Sequence, residues 1–398
     1  MRISRFAALL LACALLVLPA AGLAASTSLS VAIVADDHLA LRPLELNHRD
    51  VVSLLNLVYE GLFEIDDNYQ PQPKLAYAYS FSNDGRKVQV TLRDDISFHN
   101  GQTLTSADVV ATLDYMLELA GFDENLDSEV PVADRGLYYS TFYSIKSWEA
   151  TDEQTIVFTL RRASYGSLYA LTFPILPASQ VAADMPAGTG PYKYDGYEQG
   201  SAIWLTANDG WWNRPPQVRY VRASIYDTAE QALNAFDTQS VDIAMTRSIN
   251  ASRYSGSLNT FSITARTRQL EVLLVNRAYK DFKSDDNGQN LLRQAISYAI
   301  NRSELISSAY QNMATVAYTP IPSGTWLSNE STIRDIYDPL MAASLLDSAG
   351  YKLADDGNRY KDGKKMESLR LLVYDEPGST ARTNAANKIV DQLAAVGI

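Results

Sequence analysis

The sequence predicts a mixed α/β protein with more than one domain. Strand-like segments of alternating apolar residues are interleaved with amphipathic helices, as in the strand–helix–strand order of residues 218–245. The chain has 398 residues, whereas single hydrophobic cores stop growing near about 250–300 residues. We therefore expect at least two domains, each built on a mixed sheet.

Residues 1–24 are typical of a secretion signal. Arg2 and Arg5 precede an apolar segment that runs from Phe6 to Leu18, and small residues follow near Ala24. The alternative is a lipid anchor on Cys13, which lies in the sequence LLAC. An apolar stretch follows Cys13 where a lipoprotein would have a polar tether, so simple cleavage near Ala24 is favoured. We expect an extracytoplasmic protein.

Composition and motifs exclude several classes of function. The formal net charge is −12, which argues against nucleic-acid binding, because that binding depends on neutralising phosphates. A single cysteine rules out an internal disulfide and a thiolate metal cluster. The sequence has no H-E-x-x-H motif, no G-x-S-x-G motif and no P-loop. We therefore predict no cofactor, no metal site and no catalytic residues.

The first strand is predicted over Leu29–Ala35, and a polar loop leads from it into a helix. Val51, Leu54, Leu55 and Val58 lie on one face of that helix. Asn47, His48, Arg49 and Asp50 place polar groups at its N-terminus, where backbone N–H groups are unpaired. Two interpretations remain open: ordinary helix capping, or contact with a ligand.

Two β-hairpins and a helix are predicted in the following segment. Tyr77, Tyr79 and Phe81 alternate before the turn 83–85, and Val88, Val90 and Leu92 alternate after it. Residues 148–160 form the second hairpin, with its turn at 152–153. Thr105 and Asp108 form a capping box that starts a helix.

Aromatic residues cluster in two loop-rich segments. Tyr138 and Tyr139 lie in residues 120–145, where they either line a binding cleft or cover the neighbouring helix. Phe173 lies in the apolar segment 164–177.

Glycine and proline positions, together with apolar periodicity, predict the remaining elements. GTGPY at 188–192 is a structural tight turn before a strand. Strands are predicted at 269–276 and 369–374, and helices at 291–300, at 338–350, at 380–396 and after a cap at Ser303. Trp326 is either a cleft aromatic or a side chain packed on its own domain.

Several of these motifs together resemble one family. YEGLF at 59–63, LRDDISFHNG at 92–101 and LTSADVV at 104–110 are followed by GTGPYK at 188–193. LLRQAISYAINRSELI at 291–306 and YDPLMAASLLDSAGY at 337–351 continue the series. In this order the motifs resemble the extracytoplasmic solute-binding proteins of the peptide/nickel ABC-transporter family, bacterial solute-binding protein family 5.

The resemblance implies a two-lobed periplasmic-binding-protein-like fold of type II, cluster C. Lobe one would comprise residues 25–265, with a hairpin-rich subdomain at about 50–175, and lobe two residues 266–398. The hinge would lie near residues 265–276. The last strand–helix unit stops at Ile398 without a returning strand, so we expect an incomplete second lobe and a fragment of a longer protein.

The resemblance also implies a function. The protein would be a monomer that binds a peptide, nickel chelate or other small solute between its lobes and delivers it to the ABC permease subunits. The implied ligand-binding residues are Asn47, His48, Arg49, Tyr138, Tyr139, Phe173 and Trp326. The alternative is a secreted two-domain hydrolase that uses a pair of carboxylates, although no nucleophile–base–orienter set marks one pair over another.

Overall fold

The structure is a computed structural model. It describes residues 27–398 apart from these gaps: 37–38, 47, 122–135, 247, 255, 265–266, 268, 285–288, 322–323, 329–335 and 375–379. The predicted secretion signal and Cys13 lie outside the described residues. The chain divides into two compact units, which we call unit 1 (Met1–Met245) and unit 2 (Thr246–Ile398).

Unit 1 contains most of the strands described. They are β1 (Ser28–Val34), β2 (Phe63–Ile65), β3 (Pro71–Pro73), β4 (Ala76–Phe81), β5 (Lys87–Leu92), β6 (Ile145–Asp152), β7 (Thr155–Leu160), β8 (Tyr192–Glu198), β9 (Ala202–Ala207), β10 (Tyr220–Tyr226) and β11 (Ile243–Ala244). Its α-helices are α1 (Arg49–Leu55), α2 (Ser106–Ala120) and α3 (Ala229–Asp237).

A five-stranded mixed sheet has the order β11–β1–β10–β9–β8. Strand β1 runs parallel to β10 and β11, whereas β9 runs antiparallel to both β10 and β8. Successive residues of β1 point to opposite faces of the sheet, and both faces are covered around residues 31–33. Val31 and Ile33 join the main core of unit 1, while Ala32 packs with Ala232 and Ala235 of α3.

The two predicted hairpins are confirmed and form one antiparallel sheet in the order β4–β5–β7–β6. In β5 the residues Val88, Val90 and Leu92 are buried and alternate with more exposed neighbours, as their spacing predicts. The predicted capping box is also present at the start of α2, where the Thr105 backbone N–H donates to the Asp108 carboxylate at 2.9 Å. One contiguous core joins this sheet, α2 and the five-stranded sheet.

Unit 2 contains mainly helices in its described part. They are α4 (Leu291–Ala299), α5 (Arg302–Ser308), α6 (Pro339–Ser348) and α7 (Ala381–Ala394), with a small sheet of β12 (Lys352–Leu353), β13 (Arg359–Lys361) and β14 (Lys364–Lys365). Its core is centred on α4 and α6, with Leu292, Ala295 and Leu346 almost fully buried. Asp338 caps α6 and Pro339 is its first residue, as predicted.

Three local predictions in unit 2 are wrong. Residues 269–276 and 369–374 carry no strand, and most of their apolar side chains are exposed. An apolar run becomes a strand only when another strand pairs with it, and no described residue of the chain pairs with either segment. The cap of α5 is Asn301 rather than Ser303, because the Asn301 side chain accepts the Glu304 backbone N–H.

A buried arginine ties the small sheet of unit 2 to its helices. Arg359 is 1 % exposed, and its Nε donates to the Val396 carbonyl at 2.6 Å. Its Nη1 donates to the Tyr351 carbonyl and to the Asp347 carboxylate, both at 2.8 Å. The buried charge is therefore compensated. Among the described helices of the whole chain, none is long and apolar enough to cross a membrane.

Candidate functional site

The predicted ligand residues around α1 lie next to the end of β1. The Asp50 carboxylate, in the first turn of α1, accepts the Val34 backbone N–H at 3.2 Å. His48 is the N-cap residue, and its side chain makes no capping hydrogen bond. Its Nδ1 is buried and has no hydrogen-bond partner among the described residues. Asn47 and the side chain of Arg49 lie outside what the structure describes.

The loop that precedes α1 is fixed to other elements of unit 1. Tyr115 of α2 donates to the Glu45 carboxylate at 2.8 Å, and Tyr197 of β8 donates to the Leu39 carbonyl at 3.1 Å. Arg42 forms an ion pair with Asp184 at 2.7 Å. Three contacts therefore fix the loop that leads to His48.

Two of the predicted aromatic residues contact each other. The rings of Tyr138 and Phe173 meet edge to face, with centroids 6.3 Å apart. Phe173 is 1 % exposed and belongs to the main core, and burial raises the pKa of Tyr138. The Ile175 backbone N–H donates to the Glu60 carbonyl at 3.0 Å, which fixes the segment that carries Phe173.

The remaining predicted aromatic residues lie elsewhere. Tyr139 is buried and packs edge to face on the exposed Tyr143, with ring centroids 5.5 Å apart. Trp326 belongs to unit 2, and its side chain is 44 % exposed. The structure thus brings together Tyr138 and Phe173.

A buried carboxylate that the sequence analysis did not single out lies beside these elements. Glu60 is 5 % exposed. It accepts the indole N–H of Trp212 at 3.0 Å and of Trp211 at 3.3 Å, and the Thr189 hydroxyl at 3.0 Å. The Lys74 ammonium lies 3.7 Å from the same carboxylate. We call these five residues the Glu60 cluster.

The Arg93 guanidinium stacks on one indole ring of the Glu60 cluster. The guanidinium carbon of Arg93 lies 4.4 Å from the centre of the Trp212 ring, within the range of a cation–π contact. Arg93 also donates from Nε to the Lys74 carbonyl at 2.9 Å. The pKa of Glu60 is raised, because burial outweighs the indole, ammonium and hydroxyl donors that lower it. All of these groups donate toward the carboxylate, an arrangement suited to its ionised form.

His99 also fixes the glycine loop at residues 188–190 by hydrogen bonds to its backbone. The Gly188 backbone N–H donates to Nδ1 of the imidazole at 3.2 Å, and Nε2 lies 3.0 Å from the Gly190 carbonyl. Because Nδ1 accepts, the neutral ring carries its proton on Nε2 and donates it to Gly190. Burial is the largest cause that lowers the pKa of His99, and the positive charge of Lys193 adds to it.

Close backbone approach explains the glycines of this loop. A Cβ at Gly188 would lie 1.9 Å from the Val58 carbonyl oxygen, and one at Gly190 would lie 2.6 Å from that of Leu57. The Gly190 N–H donates to the Val58 carbonyl at 2.9 Å. The structural role predicted for GTGPY is therefore confirmed, since no residue larger than glycine fits at either position without movement of the backbone.

The Glu60 cluster unites motifs that are far apart in sequence. Glu60 belongs to YEGLF, Thr189 to GTGPY, and Trp211 and Trp212 to the loop NDGWWNRPP. A hydrogen bond across about 150 positions leaves no periodic signal along the chain. The sequence therefore does not reveal that these segments meet. Among the described residues, no group of three or more His, Cys, Asp or Glu side chains is placed to hold a metal ion.

Comparison with known proteins identifies the family. Residues 70–398 match the family of bacterial extracellular solute-binding proteins, family 5 middle. The glutathione-binding protein GsiB of Escherichia coli O1:K1 is 27 % identical over 341 residues, which are 81 % of this chain and 61 % of GsiB. The chain spans about three fifths of the length of the curated relatives that it matches.

Solved structures of low sequence identity share the fold of this chain. The ABC-transporter substrate-binding protein CtaP of Listeria monocytogenes superposes with a TM-score of 0.72 at 23 % identity, covering 94 % of this chain and 72 % of CtaP. NikZ of Campylobacter jejuni, in complex with Ni(L-His), superposes with a TM-score of 0.70 at 22 % identity, with the same two coverages. The predicted α/β periplasmic-binding-protein-like fold is confirmed. The chain belongs to the bacterial extracellular solute-binding proteins of family 5.

Proposed function

We propose that this chain is the solute-binding component of an ABC importer, and that it captures a short peptide or a related small polar solute for the permease. The family match over residues 70–398 is the observation that carries the proposal. The similarity to a glutathione-binding protein favours peptide-like ligands, because glutathione is itself a tripeptide. The similarity to NikZ makes a nickel–amino-acid chelate the second candidate class.

The ligand contacts that we propose are the residues named from the sequence, in the cleft that the family resemblance implies. His48 supports the proposal best, because its buried Nδ1 has no hydrogen-bond partner among the described residues and is held on a fixed loop. Tyr138 offers a phenol whose ring rests on Phe173, so Phe173 acts by positioning it. Asn47, Arg49, Tyr139 and Trp326 complete the proposed set.

The same proposal states that the protein delivers its ligand to the permease without altering it chemically. The relatives named above are binding proteins by description, and none of them is described as a hydrolase. We propose export through the signal at residues 1–24 with cleavage near Ala24, rather than a lipid anchor on Cys13. The acidic net charge of −12 is suited to a monomer that diffuses freely outside the cytoplasm and avoids nucleic acid.

A thermal-shift screen of the full chain tests the proposal. The protein is mixed with pooled di- to pentapeptides, with glutathione and with nickel–histidine, and each mixture is then analysed by mass spectrometry. A ligand at a hundred times its Kd stabilises the folded state by about 2.7 kcal/mol. We expect at least one pool to raise the unfolding temperature and every ligand to be recovered unchanged. Turnover of a bound peptide would replace the proposal with the hydrolase alternative.

Paired variants locate the site. Trp326→Ala removes a side chain that is 44 % exposed, and Leu327→Ala removes its neighbour, which is 52 % exposed. Both changes should leave the unfolding temperature of the free protein nearly unchanged. We expect the ligand-induced shift to fall in Trp326→Ala and to persist in Leu327→Ala. His48→Gln, which alters the group with the unpaired Nδ1, should also reduce the shift.

A further inference from the structure

A shallow depression of about 280 Å³ lies on the five-stranded sheet of unit 1. It is lined by residues of β1, β8, β9 and β10 and by Asp242, and its polar and aromatic lining comprises Ser28, Ser30, Asp195, Trp204, Tyr220, Arg222 and Asp242. Ser30 precedes Ala32 by two positions and therefore lies on the same face of β1. Ala32 is covered by α3. The depression thus lies on the same face of the sheet as α3, in a part of that face that α3 leaves exposed.

Strand register places the key residues in one row across the sheet. Ser30 of β1 pairs with Arg222 of β10, and Arg222 pairs with Trp204 of β9. In the antiparallel pair of Arg222 and Trp204, directly opposed side chains lie about 4.5–5.5 Å apart at Cβ. Tyr220 lies two positions before Arg222 and so adds a second aromatic ring diagonal to Trp204. The depression therefore combines a guanidinium with two aromatic rings.

A β-bulge brings a carboxylate to the other side of Trp204. The register of β8 and β9 shifts between Tyr194 and Gly196, so Asp195 is the extra residue opposite β9. Bulges redirect side chains and are frequent beside functional sites. Gly196 leaves space there, since a Cβ at this position would already touch the Trp204 ring at 3.5 Å.

Two charged residues on the strands that flank Trp204, Arg222 on β10 and Asp195 on β8, are exposed. In the part of the chain that the structure describes, neither the Arg222 guanidinium nor the Asp195 carboxylate has a hydrogen-bond or ion-pair partner. Asp242 differs, because it accepts the backbone N–H and the hydroxyl of Ser30 at 2.7 and 2.6 Å. Because these donors are neutral, Asp242 remains an anion. The depression therefore presents the Arg222 cation and the Asp195 anion on opposite sides of an aromatic floor, with Asp242 as a second, hydrogen-bonded anion.

We propose that this depression is a second binding site, distinct from the proposed contacts listed above, and that it takes a free α-amino acid with an apolar side chain. The ligand carboxylate pairs with Arg222, whose planar fork matches a carboxylate. The ligand ammonium pairs with Asp195, and the apolar side chain rests on Trp204 and Tyr220. A zwitterion satisfies both charges at once, whereas a simple anion or cation satisfies one and is repelled by the other.

The test uses L-leucine and two analogues, measured by NMR titration against the full chain. N-acetyl-L-leucine lacks the ammonium group, and L-leucinamide lacks the carboxylate. We expect Arg222→Gln to weaken L-leucine about tenfold, the effect of losing one charge-assisted contact, while L-leucinamide changes less than about twofold. Asp195→Asn should weaken L-leucine and L-leucinamide but not N-acetyl-L-leucine.

Matched controls come from exposed charges outside the depression. Arg162→Gln and Asp67→Asn remove the same kinds of charge elsewhere in unit 1, and both residues are exposed. These variants should bind L-leucine as the unaltered protein does. The proposal is overturned if L-leucine does not bind, or if it binds equally well to Arg222→Gln, Asp195→Asn and the unaltered protein. The latter result would place the amino acid at another site.

Discussion

Replacing Glu60 with glutamine should destabilise unit 1 far more than its modest change in shape suggests. Both carboxylate oxygens accept hydrogen bonds: Oε2 from Thr189 and Trp212, and Oε1 from Trp211. A glutamine amide keeps a single acceptor oxygen and turns an NH₂ group toward the other donors. In either orientation at least one partly buried indole N–H loses its acceptor.

The magnitude follows from these contacts. Hydrogen bonds to a charged group contribute about 1.5–3 kcal/mol, and an unsatisfied buried polar group costs about 1–3 kcal/mol. Loss of the ionised acceptor also leaves the Lys74 ammonium, 3.7 Å away, without that partner. We therefore expect Glu60→Gln to lower the free energy of unfolding by about 2–4 kcal/mol, measured by urea denaturation at pH 7.

Glu64→Gln is the matched control. Glu64 pairs with the same Lys74 at 2.8 Å, but its side chain is 53 % exposed. Exposed ion pairs contribute about 0–1 kcal/mol, so this variant should stay within about 0.5 kcal/mol of the unaltered protein. Equal stability of Glu60→Gln and Glu64→Gln would contradict this prediction, because the indole and hydroxyl donors would then not depend on the carboxylate.

Three further predictions concern neighbouring features of the fold. Gly188→Ala should unfold at markedly lower urea concentration or fail to accumulate, since its Cβ would lie 1.9 Å from a backbone oxygen; Gly166→Ala, whose Cβ would meet only a serine hydroxyl at 3.2 Å, should be much milder. Burial lowers the pKa of His99, so below about pH 6.5 the unfolded state binds more protons and stability falls as the pH drops. The urea midpoint should therefore fall more steeply from pH 7 to pH 5 in the unaltered protein than in His99→Gln, and equal slopes would contradict this assignment. Phe173→Ala should lower the free energy of unfolding by about 3–5 kcal/mol, whereas Trp326→Ala, at 44 % exposure, should change it little; calorimetry of both variants checks the contrast.

Local chemistry allowed much of the fold to be predicted from the sequence. The hairpin over β4 and β5, the Thr105–Asp108 box and the Asp338–Pro339 helix start each depend on residues a few positions apart. Hydrogen bonds and backbone preferences between residues close in sequence favour these elements. These elements were therefore predicted correctly without any knowledge of the surrounding structure.

Features that depend on distant residues could not be predicted in the same way. The apolar runs at 269–276 and 369–374 resemble strands, but a strand requires a partner, and periodicity carries no information about pairing. Glu60 and Trp212 are separated by about 150 positions, so their contact left no local pattern. The family resemblance implies that Phe173 is a ligand residue, but its almost complete burial depends on core residues distant in sequence.

Direct measurement of ligand binding tests the central claim most sharply. The full chain is titrated with glutathione, with pooled short peptides and with nickel–histidine, while calorimetry follows binding and mass spectrometry follows the ligand. We predict saturable binding of at least one of these solutes, with recovery of the intact ligand and a weaker heat signal in Trp326→Ala than in Leu327→Ala. Cleavage of the bound solute, or equal binding by both variants together with His48→Gln, would contradict the proposed solute-binding site.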